Sequence, residues 1–342
     1  ATTDLSVRFC DACQGGGAKK WATQYRGRNF DNQQIIKETT PNQASTNTTW
    51  LAINNEKAPF RDRRVRQALT LAFDFEWMNK ALFYGAYQRV SSYFQNTEYA
   101  AHGLPDAAQQ ALLAPFKDRL PPELFTMPYA PPRTDGSGYD RANLLKALDL
   151  LRQAGWQVKN QQLVNTQSGQ PLRIELLLRS GASNDWALPL QHSLSRLGIS
   201  LTLRVVDASQ YLRRLREGDY DMTARVYLAM PIPSSDLQVS WQSDYIDSSW
   251  NSARLKDPLV DHFVKAIVAH QGDKAALLPL GQALDRILLW NAYMIPMWYN
   301  AEDRMAYWDK FSHPAVKPAF ASGLESWWYD VNKAARLPAE RR

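Results

Sequence analysis

The chain has 342 residues, 45% apolar and 22% charged, which excludes a disordered chain and allows a sizeable core with more than one domain. No apolar run approaches the ~20 residues of a membrane-spanning helix. The net charge of +6 is spread along the sequence and does not choose among nucleic acid, anionic membrane and acidic ligands.

The chain starts at Ala1, and ATTDLSVRF lacks the charged-then-apolar pattern of a signal peptide, so the start is read as processed or truncated. Cys10 and Cys13 form a lone CxxC. A structural zinc needs four ligands, and the following Gly-rich run is a poor helix start for a redox pair, so no role is assigned to them. QQIIKE (33–38) and TTWLAINN (48–55) read as strands, bounded by Pro41, Asn42 and Ser45. Phe60 to Tyr87 reads as two helices. Val65, Ala68, Leu69, Ala72 and Phe73 line the buried face of the first, with Asp62 as its N-cap. Asp74 caps the second, which is expected to bury Trp77, Met78, Ala81 and Leu82 and to stop near Gly85. Arg61, Arg63, Arg64 and Arg66 are placed on the exposed side, as a solvated face and not a nucleic-acid patch.

A polar-aromatic loop (91–106) and a short helix (106–118) follow, then a Pro- and Gly-rich excursion (121–138), either ordered or flexible. Asp140 caps a helix with Leu144, Leu145, Leu148 and Leu151 on its apolar face. Strand 172–180, helix 185–197, strand 199–206, a helix capped by Asp207, and strand 220–229 then make a βαβαβ unit. In such sheets ligands lie beyond the carboxyl ends of the strands, so the segment 230–250 is the loop of interest. Two helices (257–269 and 273–292) lead to MIPMWYNAEDRMAYWDKF (294–311), read as a strand crossing back, and to a basic tail. No catalytic or phosphate-binding motif is present and the five His residues are scattered, so an enzyme, a metal or a cofactor is not expected.

The pattern Phe60-x-Asp62-x-Arg64-Val65-Arg66-x-Ala68, then Ala72-x-Asp74, resembles the peptide-binding family 5 solute-binding proteins of ABC importers, and GDYDM (218–222) matches a further signature of that family. AFDFEWMNKALFYGAY and SSYFQNTEYAA are similar to its YejA type. The resemblance runs from about Trp21 to about Leu337. It implies an α/β, type II periplasmic-binding-protein-like fold. One lobe, with the βαβαβ core, is expected at 57–295. Remnants of the other lobe fall at 1–56 and 296–342, with its N-terminal part missing. It implies a periplasmic protein that binds and does not catalyse. Two lobes close over an oligopeptide, microcin C-like conjugates included, and present it to a membrane permease; the full-length form is expected to be a monomer.

The resemblance also assigns residues. Asp236 matches the position of an Asp that meets the ligand's α-ammonium, although Ser234-Ser235 replaces the family's Gly-Asp-Pro pattern; Asp236 as a helix cap is the other reading. Tyr227, Met230 and Trp241 are candidate walls, and Arg225 a candidate partner for an acidic or phosphate group. Tyr93, Phe94 and Asn96 belong to a loop turned toward the cleft, and Trp50 and Trp298 to the hinge crossings. A ligand-sensing domain of a nucleic-acid-associated regulator is the alternative, against which no helix-turn-helix precedes the hinge. The partners of the first lobe's edge strands are expected upstream of Ala1, so the isolated chain is expected to bind peptide weakly and to self-associate.

Overall fold

A computed structural model describes residues 5–8, 16–318, 320–321 and 323–341; Cys10 and Cys13 lie outside them. In chain order the strands are β1 (Leu5–Arg8), β2 (Ile35–Pro41), β3 (Thr48–Ile53), β4 (Gln88–Arg89), β5 (Trp156–Lys159), β6 (Gln162–Asn165) and β7 (Arg173–Arg179). They continue with β8 (Ser200–Val206), β9 (Met222–Tyr227), β10 (Met294–Tyr299), β11 (Glu302–Trp308), β12 (Phe311–Ser312) and β13 (Trp328–Tyr329). The main sheet has the order β4-β10-β3-β9-β7-β8; a second has the order β1-β11-β2. Strands β7, β8 and β9 are mutually parallel and separated by helices Ala187–Arg196 and Ala208–Glu217, as the βαβαβ pattern requires.

Residue alternation along the central strands divides the interior into two cores. Leu51 and Ile53 of β3 face helices Arg63–Leu71 and Arg141–Gln153, in one cluster with Val65, Leu69, Leu176 and Leu190. Trp50 and Ala52 face the opposite side, against helices Pro258–Ala269 and Lys274–Trp290 and in one cluster with Trp241, Phe263, Leu284 and Met294. Each fully buried Leu, Ile, Val or Phe adds about 1.5–3 kcal/mol.

The exchange between sheets is displaced from the expected crossings. All six residues of β3 and all six of β10 are buried, so both strands lie inside the main sheet. Trp50 and Trp298 belong to its two opposite cores. The segment read as one crossing strand, 294–311, divides at Asn300-Ala301 into β10 and β11 of different sheets. The chain therefore passes between sheets at 42–47 and at Asn300-Ala301, and the Asn42 amide donates to the Ala301 carbonyl at 2.8 Å, tying the two passages together.

Asp62, Asp74, Asp140 and Asp207 each accept a first-turn amide, as expected of N-caps. Two details of the first helix pair differ from the sequence reading. Ala81 is exposed, because the helix Phe75–Ala81 ends there. Arg66 is buried, its guanidinium consumed by backbone carbonyls. The excursion 121–138 is ordered against this pair: Thr134 Oγ1 donates to Glu76, and the Gly138 amide to Asp74 at 3.1 Å.

Gly198, between the helix Ala187–Arg196 and β8, has φ +77°, and a Cβ there would lie 2.7 Å from the Leu163 amide nitrogen. Gly169 has φ +69° with nothing within 4 Å. Gly169→Ala is expected to cost about 1 kcal/mol, from backbone conformation alone, and Gly198→Ala roughly 2–4 kcal/mol, because backbone must also move. Equal losses in chemical denaturation would refute the steric part.

Candidate ligand-binding cleft

A cleft of about 640 Å³ opens at the carboxyl ends of β7 and β9. Its floor comes from Leu177 to Arg179 and Ala224 to Val226, and the loop Gly181–Asn184 and Trp250 stand at its sides. Lys20, Trp21, Tyr25 and Arg304 approach from the segments that pack with the three-stranded sheet. Trp21 and Tyr25 hold each other with ring centroids 4.9 Å apart. Trp250 is partly exposed and lies under the Arg225 guanidinium, 5.5 Å away. Arg225 Nη2 donates to the Ser249 carbonyl at 3.0 Å, which aims the side chain along the cleft wall.

Of the residues singled out in the sequence, Arg225 is the one that lines this cleft. Tyr93, Tyr227 and Trp241 instead gather with Trp50 in one aromatic cluster. Trp50 and Tyr93 stack at 3.9 Å, Tyr93 meets Trp241 edge-on at 5.0 Å, and Tyr227 stacks on Trp241 at 5.7 Å. Burial pushes the Tyr227 phenol up to about 12 and raises that of Tyr93 well beyond its ordinary value, so both are neutral at physiological pH. Met230 packs against the same core, and Phe94 is buried within it. Asn96, at φ +62°, donates through Nδ2 to the Ala44 carbonyl at 3.1 Å and so holds the passage 42–47.

Asp236 is exposed at the start of the helix Asp236–Trp241 and is not among the cleft's lining residues. Nor does its side chain cap that helix: no side-chain cap bond is made at this end, and the Asp236 amide donates to Ser234 Oγ at 3.2 Å. The sequence reading omitted Lys20, Trp21, Tyr25, Arg179 and Trp250. Two of these were within reach of its own rule: the carboxyl end of the first parallel strand carries Arg179, and Trp250 closes the segment 230–250. The others arrive from outside the βαβαβ unit, where no local signal marks them.

Among the described residues no group of His, Cys, Asp or Glu is arranged to hold a metal ion, and no helix is long and apolar enough to cross a membrane. Residues 8–248 match the family model of bacterial extracellular solute-binding proteins, family 5, middle region. The chain belongs to family 5. It is 59% identical over 322 residues to the uncharacterized protein YejA of Escherichia coli K12, covering 94% of this chain and 53% of that protein. To the probable peptide-binding protein YejA of Agrobacterium fabrum it is 35% identical over 324 residues, covering 93% and 52%. It thus spans about half the length of the curated relatives it matches. The Bacillus subtilis oligopeptide-binding protein AppA, solved with a nonapeptide, superposes with a TM-score of 0.61 at 17% identity, over 93% of this chain and 59% of that one. The fold is that of the type II periplasmic binding proteins, of which this chain is a partial-length domain. Family 5 members are extracytoplasmic binding proteins that work with ABC permeases.

Proposed function

We propose that this chain forms the larger part of the ligand site of an ABC importer's periplasmic solute-binding component, which takes up oligopeptides and passes them to the membrane permease. The observation that carries this reading is the cleft at the carboxyl ends of two parallel strands, the position at which α/β sheets hold ligands. Its flat walls and ring of polar groups suit an extended peptide, whose backbone needs partners and whose side chains need pockets. The printed names of the Agrobacterium and Bacillus proteins support the same substrate class. Peptide–nucleotide conjugates of the microcin C kind fall within it. Bending is assigned to the passages 42–47 and Asn300-Ala301, and the working protein to a monomer that binds no nucleic acid.

Calorimetric titration with mixed oligopeptides, against duplex DNA, tests the reading. Saturable peptide binding is expected, weak in the isolated chain; binding of DNA alone would overturn it. Asp236→Asn is expected to change affinity less than about twofold, for free and N-acetylated peptides alike, because its carboxylate stands outside the cleft. A charge-assisted bond to the ligand ammonium is worth ~1.5–3 kcal/mol. A loss of that size confined to free-terminus peptides would return Asp236 to the site.

A further inference from the structure

We propose that the cleft selects peptides with anionic side chains, through Arg179 and Arg225, and does not hold a ligand ammonium against a carboxylate. This rests on the cleft being the peptide site. Lys20, Arg179, Arg225 and Arg304 line the cleft, and among the described residues no Asp or Glu does, in a chain with 34 acidic residues. Arg304 is already compensated: its guanidinium lies 3.5 Å from Glu302 and donates to the Ala86 carbonyl. Among the described residues Lys20, Arg179 and Arg225 form no ion pair.

The two arginines are placed to act together. Strands β7 and β9 pair in parallel at Leu176–Met222 and Leu177–Thr223. Two residues beyond the last of these pairs, Arg179 and Arg225 stand on the same face near the carboxyl ends of their strands, and both line the cleft. Arg225 is oriented by its single bond to the Ser249 carbonyl and by Trp250, and its other donors make no bond among the described residues. The loop Gly181–Asn184, which also lines the cleft, then leads into the helix Ala187–Arg196. A ligand ammonium entering here meets the like charges of Lys20, Arg179 and Arg225. A carboxylate meets two planar donors able to pair with it bidentately, in a recess where water screens less than at an open surface. Trp21 and Trp250 offer flat apolar surface beside them.

The test is equilibrium dialysis with three peptides, Ala-Glu-Trp-Glu, Ala-Gln-Trp-Gln and Ala-Lys-Trp-Lys, at low and physiological salt. The acidic peptide is expected to bind at least about tenfold tighter than the glutamine peptide, with the lysine peptide weakest and the spread narrowing as salt rises. In Arg179→Gln/Arg225→Gln the acidic advantage is expected to fall below about threefold, with the glutamine peptide unaffected within about twofold. Should the double variant melt early, Arg179→Gln alone, exposed at a strand end, is expected to move the ratio in the same direction. Phosphoserine in place of glutamate separates two sources of the anion: a further tenfold gain supports the anionic cleft with phosphate as its target, and parity supports it with carboxylate.

A second readout is independent of peptide. Citrate is expected to raise the melting midpoint of the unsubstituted chain above chloride of equal ionic strength, and not that of the double variant. Equal binding of the three peptides, tightest binding of the lysine peptide, or a citrate effect that survives in the double variant would overturn the proposal. If no peptide binds and the citrate effect is present, the peptide reading falls and the anionic cleft stands. If citrate is also without effect, both fall.

Discussion

Asp285→Ala is expected to lower stability by on the order of 3–5 kcal/mol, because it strips one buried acceptor from three donors at once. Asp285 sits inside the helix Lys274–Trp290, with no exposed surface. Its carboxylate accepts the Ser92 hydroxyl, the Tyr93 amide and the Ala101 amide, each at 2.8 Å. The next residue, Arg286, donates to the His102 and Gly103 carbonyls at 2.7 and 2.8 Å. Two successive helix residues thus organise the loop 91–103, which has little regular structure of its own. Loss of Asp285 leaves two loop amides buried without partners, and the aromatic cluster built on Tyr93 loses its footing. Asp285→Asn is expected to cost less, since the amide oxygen still serves one side while its NH₂ faces a donor on the other.

The effect should depend on pH with a definite sign. Burial pushes the Asp285 carboxyl up to about 6, against the hydrogen bonds that favour its anion. A carboxyl whose folded value lies above its unfolded one near 4 binds more protons in the native state. Its contribution to stability is therefore full below about pH 4 and declines as pH rises through about 6. The gap between the unsubstituted chain and Asp285→Asn should be wider at pH 4.5 than at pH 7, by roughly 2 kcal/mol. Melting midpoints measured across that range check this. A gap that widens with pH would mean that the three donors outweigh burial, and an unchanged midpoint for Asp285→Ala would refute the organising role altogether.

Arg66→Met is expected to cost roughly 3 kcal/mol, the second large effect. The Arg66 guanidinium donates to the Phe60 carbonyl at 2.7 Å and the Arg61 carbonyl at 2.9 Å. From its other edge it donates to Asn291 at 2.7 Å and Ala292 at 3.3 Å. It lies over the Tyr293 ring at 5.0 Å. One side chain thus closes the C-terminal end of the helix Lys274–Trp290 and fixes the entry into β10, while anchoring the start of its own helix. Burial lowers its pKa only to about 10, so it keeps its charge at neutral pH and its donors stay fully charged. Arg66→Lys should recover less than half the loss, because a single ammonium cannot span both sets of carbonyls. Arg61→Ala, on the exposed side of the same cluster, should stay within about 0.5 kcal/mol. Chemical denaturation of the three variants decides it; equal small losses would mean the carbonyls find other partners.

Much of this fold was legible from local chemistry. The aspartates preceding apolar helical stripes marked helix starts, because an N-cap needs only its own side chain and the amides one turn on. The βαβαβ unit followed from alternation and spacing, and the family from a contiguous block of residues around Asp62 and Asp74. What the sequence could not decide was what meets what at long range. Arg66 shares a sequence cluster with exposed Arg61, and only the arrival of Asn291 and Ala292 turns it inward. Trp50 and Trp298 read as crossing residues until β3 and β10 prove to be sheet interior, buried on both faces. Asp236 carried the position expected of an ammonium partner, but the local backbone turns it to solvent. The cleft's cations come from strand ends and from Lys20, over 150 residues upstream of Arg179 in sequence. Propensity and capping act within a turn or two of chain and so were written in order. The charge of the cleft is a sum over groups that only tertiary packing brings together.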